Sequence, residues 1–301
     1  MQKVMLIANL HAGSVSARTK EVIVKALQAD FKLEVAVTAR REHAGELAAD
    51  AVDRDFDAAL AFGGDGTINE VAQGLVGTDV ALGVLPGGTT NVMARSLGIP
   101  TAPVDATAFV ASRLRSGTRR RINVGQVEHR YFLFSAGMGL DAEVVRRVEA
   151  DPEEKRKKRE WLFLSNALRA GLTTYRGKNP IIDLRFGVEQ HNVMTAVVCN
   201  GRPFTYFKRF PVDVCPGATL DAGFDVFGLK KLSLATVPRL AWSLFVSRSH
   251  MRWRTSVYEH DLEEVTVASP EALPVQVDGD YVGEWKTATF RLKRRALDLL
   301  I

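Results

Sequence analysis

The stretch 62–70 restricts the possible fold of this chain more than any other. It reads Phe-Gly-Gly-Asp-Gly-Thr-Ile-Asn-Glu and follows a run of small apolar residues, 57–62, that has the length of a strand. After the glycines, apolar residues recur at helical spacing as far as Leu75, and Gly77 closes the segment. The pattern predicts a buried strand, a glycine turn and a helix that begins near Thr67.

The glycine turn has the chemistry of a phosphate site. Gly63, Gly64 and Gly66 allow backbone conformations and close approaches that a side chain would block. A helix N-terminus adds unpaired N–H groups and the positive end of the helix dipole. Asp65 is the exception, because a carboxylate repels phosphate unless a cation lies between them. The turn therefore suggests a metal–nucleotide site, and a tight turn that contains an Asp is the structural alternative.

Two further stretches repeat the order of strand, polar loop and helix. The apolar run 4–8 ends in the loop 9–14, and the run 80–85 ends in the loop 86–91. A fourth strand is predicted near 33–38. Near-continuous apolar strands that alternate with helices predict a parallel sheet covered on both faces. In such sheets ligands bind beyond the carboxyl ends of the strands, where all of these loops fall.

These motifs resemble the catalytic domain of the diacylglycerol kinase family, which includes bacterial lipid kinases, sphingosine kinases and ceramide kinases. The run 63–67 with Asn69 and Glu70 matches the most specific signature of that family, and 86–91 is similar to its second nucleotide-contacting segment. More distantly, the first half is similar to NAD kinases and phosphofructokinases. The resemblance covers nearly the whole chain. It implies ATP and Mg²⁺ as cofactors, with Asp65 organising the metal. The nucleotide contacts that it implies are Asn9, Gly13, Thr38, Gly63, Gly64, Asp65, Gly66, Thr67, Ile68, Asn69 and Thr89.

The character of the sequence changes at about Ile122. Short strands separated by turn signals favour a mainly antiparallel β domain, a sandwich or a related closed sheet. The predicted strands are 122–127, 130–134, 181–188, 193–200, 211–215, 224–229, 262–269, 275–278 and 287–292. We therefore expect an α/β nucleotide-binding domain over 1–122 and a β-rich lipid-substrate domain over 123–301, whose last strand could return to the first domain.

Two carboxylates flank a glycine near the end of the chain. Asp278-Gly279-Asp280 follows an apolar run, and Asp-Gly is by itself a strong hairpin-turn signal. The resemblance gives the pair a further role, because the family carries Asp-Gly-Glu or Asp-Gly-Asp here. It implies that Asp280 is the general base that accepts the proton of the acceptor hydroxyl, with Asp278 supporting it or the metal network. Asp141, after a glycine-rich segment, matches another acidic position near the family's active site; capping a helix is the alternative role.

The sequence departs from the family pattern at two positions. Val92 stands where many members have an Asp that joins a water–Mg²⁺ network, which leaves more of that duty to Asp65. Ala222 stands where some bacterial lipid kinases have an Asp that binds a structural cation. The resemblance implies that the main-chain carbonyls of Thr219 and Phe224 could still bind such a cation.

Composition limits location and partners. The chain has 301 residues and a net charge of +5, of which +4 falls on 123–301. No apolar run is long enough to span a membrane, and the N-terminus reads as a strand rather than a signal peptide. The basic cluster 155–159 precedes a stripe of Trp161 and leucines at helical spacing, which suits either core packing or contact with an anionic bilayer. A second helical face, 234–245, could pack or line a lipid entrance.

The expected function is that of an ATP-dependent lipid kinase that phosphorylates a hydroxyl of a diacylglycerol-like lipid in a cleft between the two domains. We expect a cytoplasmic protein that contacts the inner face of the membrane transiently and does not bind nucleic acid. A homodimer is possible. One alternative is an NAD kinase-like phosphotransferase with a soluble acceptor. Another is a nucleotide- or lipid-binding regulator with weakened chemistry, which Val92 and Ala222 favour.

Overall fold

The computed structural model describes residues 1–10, 15–149, 181–231 and 236–301. The chain forms two compact units, one of 1–124 with 294–301 and one of 125–293. Gly13 and the predicted basic cluster and Trp/Leu stripe at 155–172 lie outside the described residues. Within the described parts, no helix is long and apolar enough to cross a membrane.

The first unit is a parallel sheet with helices between its strands. Its strands are β1 (Lys3–Ala8), β2 (Lys32–Val37), β3 (Ala58–Gly63), β4 (Ala81–Pro86), the first part of β5 (Arg120–Val127) and the last part of β16 (Asp280–Leu299). The sheet order is β2–β1–β3–β4, and the end of β16 pairs in parallel with β4. Its helices are α1 (Ala17–Gln28), α2 (His43–Asp53), α3 (Asp65–Leu75), α4 (Val92–Ser96) and α5 (Pro103–Ser116).

Burial explains why the central strands read as unbroken apolar runs. Every residue of β3 and of β4 is buried, as expected for parallel strands with both faces covered. The predicted α/β sheet is confirmed. Helix α3 begins at Asp65, two residues before the predicted Thr67, because the extended Gly64 is the N-cap and its carbonyl accepts Ile68 N–H at 3.1 Å.

The second unit is mainly antiparallel β, as the sequence predicts. Its strands are β6 (Arg130–Phe132), β7 (Ser135–Gly139), β8 (Ile182–Phe186), β9 (Glu189–Val193), β10 (Thr195–Cys199), β11 (Thr205–Phe207), β12 (Phe210–Val212), β13 (Phe224–Leu229), β14 (Ser256–Leu262), β15 (Glu264–Val277) and the start of β16. Its central order is β14–β13–β10–β7–β15–β16, and β8 pairs with both β15 and β9. Its helical elements are α6 (Leu140–Glu149), α7 (Thr236–Trp242), a π-helix (Ser243–Ser247) and a 3₁₀-helix (Ser249–Arg252).

The second unit has an apolar core on each face of β10. Ala196 and Val198 pack into one core, whereas Val197 and Cys199 pack into the other, which follows the alternation of side chains along a strand. The second core is completed by Val237, Leu240 and Leu244 of α7 and the π-helix. The sequence missed β7, β9, β11 and β14, and it divided β15 into two strands, 262–269 and 275–278. Two of the missed strands, β9 and β14, are largely polar.

Candidate functional site

Two glycine loops come into direct main-chain contact at the carboxyl ends of β3 and β4. Gly87 N–H donates to the Gly63 carbonyl at 2.7 Å. A Cβ placed on Gly88 would lie 2.8 Å from Gly64 Cα, so a side chain there would collide with the backbone. A Cβ on Gly63 would lie 2.6 Å from Thr67 Oγ1. The glycines are therefore required for the two loops to approach each other beside the N-terminus of α3.

The loop after β1 joins this cluster through Asn9. Asn9 N–H donates to the Phe62 carbonyl at 2.9 Å, and Asn9 Nδ2 donates to Thr67 Oγ1 at 3.0 Å. Thr38, at the end of β2, donates its N–H to the Ala8 carbonyl at 3.0 Å. The ends of β1, β2 and β3 thus bring Asn9, Thr38 and Thr67 to the same edge of the sheet.

Asp65 lies in the first turn of α3, where the helix dipole favours a negative charge. Its Oδ1 accepts a hydrogen bond from Met93 N–H at 3.1 Å. Met93 follows Val92, the first residue of α4, so a main-chain donor is next to the position where the family pattern has an acid. The Asp65 carboxylate is held by this contact between α3 and α4.

The loop after β4 is closed by its own asparagine. Asn91 Oδ1 accepts Gly88 N–H and Asn91 Nδ2 donates to the Gly88 carbonyl, both at 2.9 Å. Asn91 has φ of 48°, in the left-handed region that Asn tolerates well. Thr89 lies exposed on the bend that this bridge shapes. The bridge fixes the form of the loop that packs on Gly64.

The next residues of the signature are part of the fold of the first unit. Ile68 is fully buried, so any nucleotide contact that it makes would use its main chain. Asn69 Oδ1 accepts from Gln73 Nε2 at 3.0 Å, and Glu70 Oε2 accepts from Ala44 N–H at 3.3 Å at the start of α2. Gly66 is exposed in the first turn of α3.

In the second unit, the Asp278–Gly279 pair forms a two-residue hairpin turn between β15 and β16. Both residues have positive φ, 48° and 83°, as a type I′ turn requires. Asp280 is the first residue of β16, opposite Val277, and is partly buried. The hairpin predicted from Asp-Gly is therefore present, and it carries Asp280 on a regular strand.

Asp278 fastens this hairpin to the loop before β7. Its Oδ2 accepts Leu133 N–H at 2.7 Å, and its Oδ1 accepts both Phe134 N–H and Ser135 N–H at 2.9 Å. Its own N–H donates to the Ser135 carbonyl at 2.7 Å. Three main-chain donors on one carboxylate make Asp278 a residue that positions Asp280.

Gln276 connects the same turn to Asp141. Its Oε1 accepts Gly279 N–H at 2.9 Å and its Nε2 donates to Asp141 Oδ2 at 3.1 Å. Asp141 Oδ1 accepts from Thr195 Oγ1 at 3.0 Å. Burial raises the pKa of Asp141 to about 6, although the hydrogen bonds from Gln276 and Thr195 oppose this rise.

Asp65 has the chemistry to hold Mg²⁺ together with a nucleotide. Mg²⁺ is usually bound by one or two carboxylates plus substrate phosphates and water. Among the described residues, no group of three or more His, Cys, Asp or Glu could hold a metal by itself. Further along the chain, the Thr219 carbonyl accepts Ala222 N–H at 3.2 Å, and Phe224 is buried at the start of β13.

Sequence reasoning missed Gln276 and the Met93 main-chain donor. Gln276 alternates with Val275 and Val277, a pattern typical of a strand with its polar residue in solvent, yet its side chain is fully buried. A main-chain donor such as Met93 N–H has no signal in the sequence.

The sequence is similar to that of known kinases. The family model of the diacylglycerol kinase catalytic domain matches residues 3–127. The chain is 30% identical over 266 residues to a diacylglycerol kinase of Bacillus subtilis, covering 87% of this chain and 84% of that protein. A diacylglycerol kinase of Staphylococcus carnosus is 25% identical over 277 residues, with 91% of this chain and 86% of that protein covered.

Solved structures share the fold. A proposed diacylglycerol kinase of Bacillus anthracis superposes with a TM-score of 0.79 at 22% identity, covering 99% of this chain and 95% of that one. An NAD kinase of Archaeoglobus fulgidus solved with ATP superposes with a TM-score of 0.51 at 13% identity, covering 99% and 93%. The predicted likeness to NAD kinases is confirmed at the level of the fold.

The glycine loops around a helix N-terminus, joined in one chain to a mainly antiparallel β unit, place the chain in the class of proteins with the fold shared by diacylglycerol kinases and NAD kinases. The chain belongs to the diacylglycerol kinase catalytic-domain family. The predicted family and class of enzyme are confirmed.

Proposed function

We propose that this protein is an ATP-dependent lipid kinase that transfers the γ-phosphate to the hydroxyl of a diacylglycerol-like lipid. The observation that carries the proposal is the packing of Gly87 and Gly88 on Gly63 and Gly64 at the N-terminus of α3. Such a cluster offers main-chain donors and the positive end of a helix dipole to an anion. The curated relatives are diacylglycerol kinases by name, which suggests the lipid.

In this proposal the first unit holds the triphosphate. The glycine loops and Thr67 line its binding site, and Asn9, Thr38, Asn69 and Thr89 contribute around it, with Gly13 as a further predicted contact. Mg²⁺ bound with the nucleotide would offset the negative charge of the phosphates, and Asp65 would hold it directly or through water.

The second unit supplies the base. Asp280 accepts the proton of the lipid hydroxyl as that oxygen forms its bond to the γ-phosphorus, and ADP leaves with the electrons of the broken P–O bond. Asp278 and Gln276 hold the hairpin that carries Asp280. The structural cation at the carbonyls of Thr219 and Phe224 stays a prediction from the family resemblance.

The protein would act on lipid at the inner face of the membrane. This follows from the chemistry of the acceptor, since diacylglycerol resides in bilayers, and from the basic excess of residues 123–301.

The test is incubation with γ-labelled ATP, Mg²⁺ and a mixed lipid extract, followed by identification of the labelled product. We expect labelled phosphatidic acid or a related lipid phosphate. Label on NAD in the absence of lipid would support the NAD kinase alternative, and ATP binding without transfer to any lipid would support the regulator.

The assigned base is tested by Asp280→Asn, for which we expect turnover to fall by about 10²–10⁴-fold. Glu271→Gln, which neutralises an exposed carboxylate on β15 of the same unit, is the matched control and should keep full turnover. Equal turnover of both variants would remove Asp280 from the mechanism.

A further inference from the structure

The second unit exposes a strip of large apolar side chains. Phe210 is 52% exposed, Trp242 63%, Phe245 41% and Val246 57%. These four residues are here called the aromatic strip. Exposed large apolar residues that occur together mark contact surfaces more often than those scattered singly.

The members of the strip are connected to one another. Phe207 and Phe210 face each other as a cross-strand pair of the β11–β12 hairpin, so their side chains lie on one face. The Phe207 ring packs edge-on against Phe245, with 6.1 Å between ring centroids. Trp242, Phe245 and Val246 follow each other at helical spacing on α7 and the π-helix.

The fold does not need the strip for its core. The opposite side of the same helical segment, with Val237, Leu240 and Leu244, already packs on the core of the second unit. The segment is fixed by Asp213 N–H, which donates to the Leu244 carbonyl at 3.0 Å, and by His250, whose ring lies 2.8 Å from Ser243 Oγ. The aromatic side chains are thus held outward by a rigid support.

Two cations lie beside the strip. Lys208 and Arg209 form the exposed turn of the hairpin, and the Arg209 guanidinium lies 5.3 Å from the centroid of the Phe210 ring. From 202 to 254 the sequence carries nine Lys or Arg and three Asp. Two of these acids, Asp213 and Asp225, are buried with 3% and 2% exposure. Asp213 is ion-paired with Arg202 and Arg248, so the exposed Lys208 and Arg209 are the cations that the strip has beside it.

We propose that the aromatic strip with Lys208 and Arg209 docks the protein on an anionic lipid bilayer. Tryptophan and phenylalanine insert at the boundary of headgroups and acyl chains, and neighbouring cations are attracted to anionic headgroups. The choice of a lipid surface as partner rests on the proposed lipid kinase function. A second copy of the chain fits less well, because a symmetric contact through the strip would bring two identical cationic hairpins together.

The test is co-sedimentation of the whole protein with vesicles of phosphatidylglycerol and phosphatidylcholine, without nucleotide. The double variant Phe210→Ser/Trp242→Ser should raise the dissociation constant for the vesicles by about 10-fold or more, since it removes two inserting rings. Val188→Ser is the matched control, because Val188 is a fully exposed apolar residue of the same unit on the β8–β9 turn. Binding by the wild type should weaken as salt is added.

A second measurement uses the fluorescence of Trp242. Vesicles with brominated acyl chains should quench the wild type more than Trp242→Phe, which keeps an apolar ring at this position. Equal vesicle affinity of the double variant and Val188→Ser, or no difference in quenching, would overturn the proposal. So would self-association of the wild type that the double variant loses while vesicle binding is unchanged.

The two proposals fail in different ways. If the strip docks the membrane, the double variant should still phosphorylate diacylglycerol in detergent micelles at near wild-type turnover. Vesicle binding through the strip without lipid phosphorylation would keep the docking surface and remove the kinase proposal. Phosphorylation in micelles with no vesicle binding would keep the kinase proposal and remove the docking surface.

Discussion

Gln276 Nε2 donates a hydrogen bond of 3.1 Å to Asp141 Oδ2. The other end of the same amide accepts Gly279 N–H in the turn before Asp280. Because Gly279 N–H can only donate, the amide must present its oxygen to the turn and its nitrogen to Asp141. A buried amide therefore ties a titrating carboxylate to the hairpin that carries the proposed base.

Gln276→Leu removes this link and puts an apolar side chain of similar size in its place. It leaves one oxygen of Asp141 without its partner, whereas the exposed Gly279 N–H can bind water, so we expect the free energy of unfolding to fall by about 1–3 kcal/mol. Displacement of the turn should lower kcat by about 10–100-fold with the KM for ATP unchanged. Denaturant titration and steady-state kinetics measure the two effects.

The matched control is Gln190→Leu, whose amide donates to Asp183 on the exposed surface of the second unit. This variant should change neither quantity appreciably. If both variants had the same kcat, the link between Gln276 and the proposed base would be wrong.

Asp278→Asn tests the carboxylate that binds three main-chain donors. Asn suits the positive φ of this turn position, so the hairpin itself is kept. The amide nitrogen must then face one of the N–H groups of Leu133, Phe134 or Ser135, and we expect a loss of about 2–4 kcal/mol in the free energy of unfolding.

Asp261→Asn is the comparison for this prediction. Asp261 also has positive φ, of 60°, and its Oδ1 accepts Gly223 N–H at 2.8 Å. An Asn oxygen can keep that bond, so the change should stay below about 1 kcal/mol. Losses of equal size in the two variants would show that the multiple bonds of Asp278 have no special effect.

The raised pKa of Asp141 predicts a pH-dependent stability. Between its ordinary value of 3.8 and about 6, the folded protein holds this proton more firmly than the unfolded chain does. The contribution of Asp141 to the free energy of unfolding is therefore complete below about pH 3.8, and it is lost as the pH rises through 6.

The measurement is the difference in unfolding free energy between the wild type and Asp141→Asn. The wild type should lose stability relative to the variant between about pH 4.5, where Asp141 still holds its proton, and about pH 7.5. Burial lowers the pKa of His250, which acts in the opposite direction, but this residue is common to both proteins and cancels in the difference. A difference that does not vary with pH would contradict the assignment.

Gly88→Ala and Gly64→Ala separate close packing from mere flexibility in the glycine loops. A Cβ on Gly88 would collide with Gly64 Cα at 2.8 Å, whereas a Cβ on Gly64 would lie at an ordinary 3.5 Å from Gly88 Cα. We expect Gly88→Ala to lower the free energy of unfolding by about 1–3 kcal/mol and Gly64→Ala to lower it less. Thermal or chemical denaturation of the two variants measures these losses. A larger loss for Gly64→Ala than for Gly88→Ala would refute the packing argument.

The sequence by itself determined the parallel sheet, the glycine loops at its edge and the family. Apolar strands, glycine turns and helical spacing are local patterns, and backbone sterics and side-chain burial act on them directly. The Asp278–Gly279 turn belongs here too, because positive φ at both positions selects such residues.

Only the tertiary structure decided which polar groups meet. Gln276 lies between two valines of a strand, and nothing local distinguishes a buried amide there from a solvated one. Its partner Asp141 is 135 residues away in the chain. The outward face of the π-helix was likewise undecided, because α7 and the π-helix carry apolar residues on both sides and only packing assigned Leu244 to the core and Phe245 to solvent. Long-range pairing of this kind is set by how strands and helices assemble, which the spacing of residues along the chain does not record.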